Sequence, residues 1–288
     1  MSRKPPAWQA KRLLEWAKSV LVQLTVKEND FVCDLWCGPG ANTAKFLPVK
    51  AQFYLGLDPF DECLGPAKKM WAETNKHGSP LEADFRKLDP VTGDYDLVFD
   101  GVSAQLGEFD VVTCFGKLQF CWGSEEQAKQ FLHNVASVLR PGGLLVGFMP
   151  DSEAIWSLCQ RGYKGVGGEL PHGAGEMFKV KFHGHEQGEF GARYNLQIND
   201  GKNAQQFFLV HSHTLMELAL VYGLELIEMN NMSCFYQDTS PFFAELLKDQ
   251  GVLADPYGGS RIGDGAMELF SLYCTFVFRR VEEKSGAV

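Results

Sequence analysis

The sequence lacks the features that mark membrane and secreted proteins. No apolar run approaches the roughly 20 residues that a membrane-spanning helix needs. The first residues, MSRKPPAWQAKR, carry charges where a secretory signal requires an unbroken apolar core. Internal repeats and low-complexity tracts are also missing. We therefore expect a folded protein that is neither inserted in a membrane nor secreted.

Metal-binding patterns are missing as well. The eight cysteines include no CxxC pair and lie in apolar segments, which predicts buried thiols in a reducing compartment and argues against a zinc site. The pairs His183-x-His185 and His211-x-His213 have no matching carboxylate cluster. We interpret these histidines as surface residues and expect no metal site.

Positive charge is scarce, because 27 basic residues stand against 36 acidic ones and give a net charge of −9. Such a balance does not favour broad electrostatic binding of long nucleic acids. Short basic stretches occur at the start, at Lys68–Lys69 and at Lys179–Lys181, and we interpret each as a solvated face.

Strand and helix patterns alternate through residue 150. The predicted strands cover 31–37, 53–58, 79–85, 109–116 and 144–150, and the predicted helices cover 8–24, 40–47, 63–76 and 124–143. This alternation predicts an α/β fold with a doubly wound, Rossmann-like parallel sheet, whose ligands bind beyond the carboxyl ends of the strands.

The second half of the chain has a different pattern. Strands are predicted at 177–182, 192–198, 224–230 and 269–280, with a helix at 214–222. Residues 151–205 are rich in glycine and charge, and residues 236–266 are rich in loop signals. We interpret the chain as a single domain over residues 1–288, in which 151–205 and 236–266 are insertions.

A glycine-containing loop, CDLWCGPG, follows the first predicted strand at residues 33–40. Gly38 and Gly40 have no Cβ, so the backbone can approach a ligand closely. Asp58, at the tip of the next strand, can accept hydrogen bonds from both hydroxyls of a ribose, and Asp84, at the end of the third, can accept from an adenine amino group. This set predicts an adenosine-containing ligand; the alternative is that both carboxylates only cap loops.

The loop fits neither the GxGxxG fingerprint of NAD-binding proteins nor the GK[ST] of nucleotide-phosphate loops. Its D-L-x-C-G-x-G pattern resembles the S-adenosylmethionine loop of class I methyltransferases. That resemblance implies that Asp34 or its neighbours face the sulfonium and amino end of the cofactor.

Segments along nearly the whole chain resemble eukaryotic mRNA cap guanine-N7 methyltransferases, in the family's order. They are LEWAKSVL (14–21), VCDLWCGPGANTAKF (32–46), and the stretches at 125–152, 178–198, 207–236 and 270–278. The C-terminal half is the specific part, because methyltransferases in general lack it. The resemblance implies methyl transfer from S-adenosylmethionine to N7 of the cap guanine, with capped RNA as partner. It also implies a nuclear location and is compatible with a small activating protein subunit.

Matching positions imply roles for individual residues. Lys18 matches the lysine that reaches the cofactor carboxylate, and Cys37 with its two glycines matches the loop. Phe115, in place of the glutamine of the family's QFxxHY, is assigned to the cofactor. Pro150 and Tyr273 match residues near the cap guanine. On this basis residues 1–150 bind the cofactor and the two insertions shape the acceptor pocket.

The sequence departs from the family at several of these positions. Trp36 replaces the first loop glycine and Pro39 a loop lysine, so we expect Trp36 to wall the pocket and Pro39 to stiffen it. Gln119 and Phe120 stand where the family has the histidine and tyrosine that hold the guanine, and Phe207 stands where it has a glutamate. We expect weaker cap binding. The alternatives are a methyltransferase for another small-molecule or nucleobase acceptor, and a non-catalytic or catalytically weak cap-binding paralogue.

Overall fold

Ten strands form two sheets in the part of the chain that the computed structural model describes, residues 7–99, 108–162, 178–183, 188–198, 204–252 and 262–281. The larger sheet has the order β3-β2-β1-β4-β5-β10-β9. Its strands are β1 (Phe31–Leu35), β2 (Phe53–Asp58), β3 (Glu82–Lys87), β4 (Phe109–Phe115), β5 (Leu139–Pro150), β9 (Leu224–Asn231) and β10 (Tyr273–Arg280). β1 to β5 are parallel, whereas β10 runs antiparallel to both β5 and β9. The predicted doubly wound α/β sheet is thus confirmed.

A second, antiparallel sheet of three strands comes from the middle of the chain. Its strands are β6 (Phe178–His183), β7 (Arg193–Ile198) and β8 (Gln205–Phe208), paired in that order. β6 and β7 confirm the two strands predicted within residues 151–205. Residues 163–177, which the sequence also assigns to this insertion, lie outside the described residues.

Helices cover both faces of the larger sheet. They are α1 (Trp8–Thr25), α2 (Asp61–Thr74), α3 (Tyr95–Phe99), α4 (Glu125–Val138), α5 (Ser152–Gly162), α6 (Ser212–Val221), α7 (Met232–Thr239), α8 (Ala244–Asp249) and α9 (Asp264–Phe270). α1 lies in the core on one face and α4 in the core on the other. Among the described residues, no helix is both long and apolar enough to cross a membrane.

α4 shows how local sequence sets a helix. The Ser124 side chain accepts a hydrogen bond from the backbone N–H of Gln127 at 3.3 Å, and two glutamates occupy the first turn. The helix ends at Val138, five residues before the predicted end, because Pro141 has no N–H for a helical hydrogen bond and Gly142 adopts φ +78°. Residues 139–143 instead begin β5.

Two further predictions were wrong in detail. The helix predicted for residues 40–47 is only a 3₁₀ turn, Thr43–Phe46, since Pro48 cannot donate the next helical hydrogen bond. The segment 236–266 is not loop-rich where it is described, because α7 and α8 occupy much of it. Trp16 of α1, which is fully buried, packs its ring against Tyr236 of α7 at 5.5 Å between centroids.

Candidate active site

The loop after β1 is built on three residues in the left-handed region, Trp36 (φ +54°), Gly38 (φ +56°) and Gly40 (φ +82°). A Cβ on Gly40 would lie 3.0 Å from the Cα of Ala67, so this glycine lets α2 pack against the loop. A Cβ on Gly38 would meet no atom within 4 Å. Gly38 therefore exposes its backbone to open space, as a ligand-approaching residue must.

Cys37 anchors the loop to β2. Its backbone N–H donates to the carbonyl of Leu57 at 3.0 Å, and its side chain is buried. Burial raises the pKa of the Cys37 thiol far above its ordinary value, and nearby Asp34 adds to the shift. This thiol therefore stays protonated and acts as a packing group.

Trp36 packs against α4 and is half-buried. Its ring stacks on Phe131 of α4, with centroids 5.8 Å apart and an interplanar angle of 30°. A non-glycine residue in the left-handed region costs about 1–2 kcal/mol, and an aromatic pair contributes about 0.5–1.5 kcal/mol, so the stacking offsets much of the strain. Tertiary packing thus explains how a tryptophan occupies a glycine position.

Asp58 joins the loop to the end of β2. Its buried carboxylate accepts from the Gly38 N–H at 2.9 Å with Oδ2 and from the Phe60 N–H at 3.0 Å with Oδ1. An ionised carboxylate oxygen has two lone pairs, so acceptor positions remain beside these two donors, and the Cys63 thiol hydrogen-bonds to the same carboxylate. The carboxylate can both hold the loop and receive the two hydroxyls of a ribose.

Asp34 lies under the loop. It is fully buried and accepts from Thr113 Oγ1 (2.7 Å), Tyr54 OH (2.8 Å) and Asn42 Nδ2 (3.2 Å). Burial raises the pKa of this carboxyl, and the hydrogen bonds from Thr113, Tyr54 and Asn42 partly oppose the shift. The expectation that Asp34 itself faces the cofactor's sulfonium end finds no support, because its hydrogen bonds come from the protein beneath the loop.

Lys18 reaches the site from α1. Its Nζ lies 2.7 Å from Glu15 Oε1 and 3.4 Å from Asn42 Oδ1, and 6.0 Å from the ring centre of Phe115. Lys45 Nζ contacts the other oxygen of Glu15 at 3.0 Å. Sequence reasoning missed Glu15 and Asn42 as site residues. For Glu15 a signal exists, since it stands three residues before Lys18 on the same helix face.

Asp84 lies elsewhere than predicted. In the β2–β3 register Asp58 pairs with Lys87, whereas Asp84 pairs with Leu55, three residues and about 10 Å further back along the strand. Because side chains alternate, Asp84 also points to the sheet face opposite Asp58. Its carboxylate accepts from Arg86 Nε at 2.7 Å. The structure therefore does not bring Asp84 together with the loop.

The residues after β4 lie on the side of the site that the sequence predicts to bind the acceptor, which we call the acceptor side. Gln119 is 1% exposed; its Nε2 donates to the Gly116 carbonyl at 2.8 Å, while its Oε1 has no hydrogen-bond partner within the described structure. Phe120 is 40% exposed, and its ring packs on Phe207 of β8 at 5.6 Å. A buried carbonyl without a donor and an exposed ring next to it are suited to a polar, planar ligand.

Pro150 and Tyr273 are direct neighbours, paired across β5 and β10. Tyr273 packs edge-on against Phe148 (5.9 Å), which packs against Phe115 (6.0 Å). Burial raises the pKa of Tyr273 to about 12, so its hydroxyl stays protonated. Phe115 therefore lies between Lys18 on one side and Phe148 with Tyr273 on the other, since its ring is also near Lys18.

Tyr194 of β7 is a further buried residue on this side that sequence reasoning did not select. Its hydroxyl has no hydrogen-bond partner in the described part of the chain, and its ring stacks on Phe182 and makes a tilted contact with Phe207. Burial raises its pKa, with Tyr273 as the next contribution. The sequence contains a signal for this burial, because alternation along ARYNLQI puts Tyr194 on the same strand face as Ala192 and Leu196.

This strand order, with a glycine loop after β1 and an acid at the end of β2, defines a class I methyltransferase fold. A solved S-adenosylmethionine-dependent methyltransferase from Clostridium acetobutylicum has the same fold, with a TM-score of 0.52 and 13% identity, covering 94% of this chain and 92% of that one. A solved S-adenosylmethionine-dependent methyltransferase from Mesorhizobium loti gives a TM-score of 0.51 and 14% identity, covering 93% and 98%.

The sequence narrows the class to a family. The model of the mRNA (guanine-N(7))-methyltransferase domain matches residues 2–281, and the chain belongs to this family. The mRNA cap guanine-N(7) methyltransferase 2 of Oryza sativa subsp. japonica is 32% identical over 282 residues, covering 93% of this chain and 79% of that protein. Its counterpart in Arabidopsis thaliana is 30% identical over 280 residues, covering 93% and 77%.

Proposed function

We propose that this protein transfers a methyl group from S-adenosylmethionine to N7 of the guanine cap of mRNA. The observation that carries the proposal is that the family match extends through the C-terminal half, which supplies the acceptor wall around Tyr273. With this function we also propose a nuclear location, where transcripts receive their caps; imaging of the tagged full-length chain tests that location.

The residues on the cofactor side fit an adenosine cofactor. Gly38 leaves open space at its Cβ position, and the Asp58 carboxylate beside it retains acceptor capacity for the ribose hydroxyls. Lys18 provides a cation for the carboxylate of the methionine part. Asp84 has no part in this assignment, since it points to the other sheet face. When bound, S-adenosylmethionine supplies an electrophilic methyl group on a sulfonium.

The acceptor needs no general base, because guanine N7 carries a free lone pair and no proton. The N7–methyl bond forms as the methyl–sulfur bond breaks, and the positive charge passes from sulfur to the base. The task of the protein is to orient the base for in-line transfer. The rings of Phe115, Phe148 and Tyr273 offer π faces and edges near this charge, and aromatic faces attract cations.

Gln119 and Phe120 take the place of the guanine-holding pair. The exposed ring of Phe120 can stack on the base, whereas the unpaired Oε1 of Gln119 is buried and accepts from the N–H groups on the guanine edge only once its side chain turns toward the ligand. Phe207, in place of an acid, cannot accept a hydrogen bond. The missing acceptor should weaken cap binding by about 1–3 kcal/mol relative to relatives that have it.

The first experiment titrates S-adenosylmethionine by calorimetry and then assays methyl transfer to RNAs ending in GpppG, ApppG or a plain triphosphate, with the product identified as N7-methylguanine by mass spectrometry. We expect cofactor binding and transfer only to GpppG ends. Binding with transfer to small acceptors but not to caps would favour the alternative acceptor. Absence of cofactor binding would contradict both enzyme functions.

The altered guanine pocket gives a second test. Gln119→His combined with Phe120→Tyr restores the family's side chains and should lower the KM for capped RNA by about tenfold, the equivalent of one hydrogen bond to a base edge. The matched control is Gln130→His on the exposed part of α4, with no expected effect. An unchanged KM in the double variant counts against a guanine pocket at this position.

A further inference from the structure

The three-stranded sheet has two chemically different faces. Alternation along β6, β7 and β8 directs Phe178, Val180, Tyr194, Leu196 and Phe207 into the core. The same alternation directs basic and amide side chains to the opposite face, where they are exposed or half-buried. We call this opposite side the basic face; its charged and amide residues are Lys179, Lys181, His183, Arg193, Asn195, Gln197 and Gln206, and the ring of Phe208 lies at its edge beside Arg193.

The basic face is positively charged, whereas the whole protein is negatively charged. The chain has a net charge of −9, yet no residue of β6, β7 or β8 is acidic. Within the described residues, no carboxylate forms an ion pair with Lys179, Lys181 or Arg193. Arg193 instead lies over the ring of Phe208, at 5.8 Å. Cations left without neutralising partners on one face attract a polyanion.

The strand register sets these groups in rows. His183 lies beside Arg193, and Lys181 lies beside Asn195, which lies beside Gln206 on the next strand. Neighbouring strands are about 4.8 Å apart and alternate residues about 7 Å apart, and successive phosphates of an extended single strand are separated by a similar distance. Lysine, arginine and amide side chains bind phosphates and sugar hydroxyls without reading the base.

The sheet also borders the acceptor side. Its inner face contacts that side through the rings of Phe207 and Phe120, 5.6 Å apart. The basic face is the other side of this same sheet, one strand layer away from the Phe207–Phe120 contact.

We propose that the basic face binds the RNA chain that follows the cap, through its phosphates and sugar hydroxyls and without sequence preference. The proposal rests on capped RNA being the substrate. Three permanent cations on single-stranded RNA give a slope of log affinity against log salt of about −2, which is a roughly 16-fold change between 50 and 200 mM salt.

The test compares two triple variants of the full chain. One carries Lys179→Gln, Lys181→Gln and Arg193→Gln. The charge-matched control carries Lys68→Gln, Lys69→Gln and Lys76→Gln on and just after α2, all exposed. Fluorescence anisotropy gives the affinity for a GpppG-capped 20-nucleotide RNA across 50–200 mM KCl, and competition gives the affinity for the GpppG dinucleotide. Thermal unfolding checks that both variants fold.

In the basic-face variant, we expect the slope of log affinity against log salt concentration to become shallower by about 2. The KM for the RNA should rise about tenfold, whereas the dinucleotide affinity and kcat should stay within twofold of the wild type. The control should keep the wild-type slope. Equal slopes in the two variants, or an equal loss for dinucleotide and RNA, would overturn the proposal. Methylation of the dinucleotide by the wild type tests the proposed function separately: its absence, with the slope change intact, would leave an RNA-binding face on a protein with another acceptor.

Discussion

Gly38 and Gly40 occupy the same loop and the same backbone region, yet substitution by alanine should affect mainly cofactor binding at Gly38 and mainly stability at Gly40. An alanine at either position adopts the left-handed conformation at about 1–2 kcal/mol, partly offset by about 0.4–1 kcal/mol from the stiffer unfolded chain. At Gly38 nothing else opposes the new methyl group, because no atom lies within 4 Å. We expect Gly38→Ala to lower the free energy of unfolding by about 1 kcal/mol or less.

At Gly40 the methyl group meets α2. Its Cβ would lie 3.0 Å from the Cα and 3.1 Å from the Cβ of Ala67, and relief requires the helix to shift. Overpacking of this kind costs about 1–3 kcal/mol beyond the backbone strain. Gly40→Ala should therefore destabilise the protein by about 2–4 kcal/mol, measured by urea denaturation.

Binding separates the two variants again. The open space at Gly38 is where the cofactor is proposed to approach, so Gly38→Ala should weaken S-adenosylmethionine binding at least tenfold in calorimetry while leaving the protein folded. Steric exclusion is the physical reason, since the added methyl group would occupy that space beside Asp58. If folded Gly38→Ala binds the cofactor within twofold of the wild type, the loop does not approach the cofactor at this residue.

Two more substitutions test the site. Lys18→Met should weaken S-adenosylmethionine binding about tenfold or more, because a hydrogen bond to a charged group contributes about 1.5–3 kcal/mol. The control Lys45→Met removes only the second partner of Glu15 and should have a smaller effect. Equal losses of affinity in calorimetry would contradict the role of Lys18. Tyr194→Phe removes a buried hydroxyl without a partner and should raise the free energy of unfolding, measured in urea, by about 1 kcal/mol. Tyr54→Phe, by contrast, removes a donor to Asp34 and should lower the free energy of unfolding. If Tyr194→Phe is destabilised instead, its hydroxyl has a stabilising partner.

Sequence patterns predicted most of the frame. Strand alternation located β1, β2, β4 and β5, and the serine and glutamates at 124–126 located the start of α4. These patterns are local, because the interactions behind them lie within one turn or one strand. The glycine loop and Asp58 were found for the same reason, since both follow directly from the end of a buried strand.

Other features depend on partners distant in the chain. The sequence predicted Asp84 at the end of β3. Pairing with β2 extends β3 to Lys87, and this pairing cannot be read from the sequence of β3 alone. Trp36, which the sequence predicts to line the pocket, stacks on Phe131, nearly a hundred residues later in the chain. Periodicity carries no information about either contact.

Local spacing and matched segments were enough to predict the class of fold, the cofactor loop and the family. The folded structure adds which carboxylate hydrogen-bonds to the loop, how a tryptophan occupies a glycine position, and which residues lie beside Gln119. It alone separated the core face of the small sheet from its basic face. Strand register and packing between distant segments fix these arrangements, and they exist only once the chain has folded.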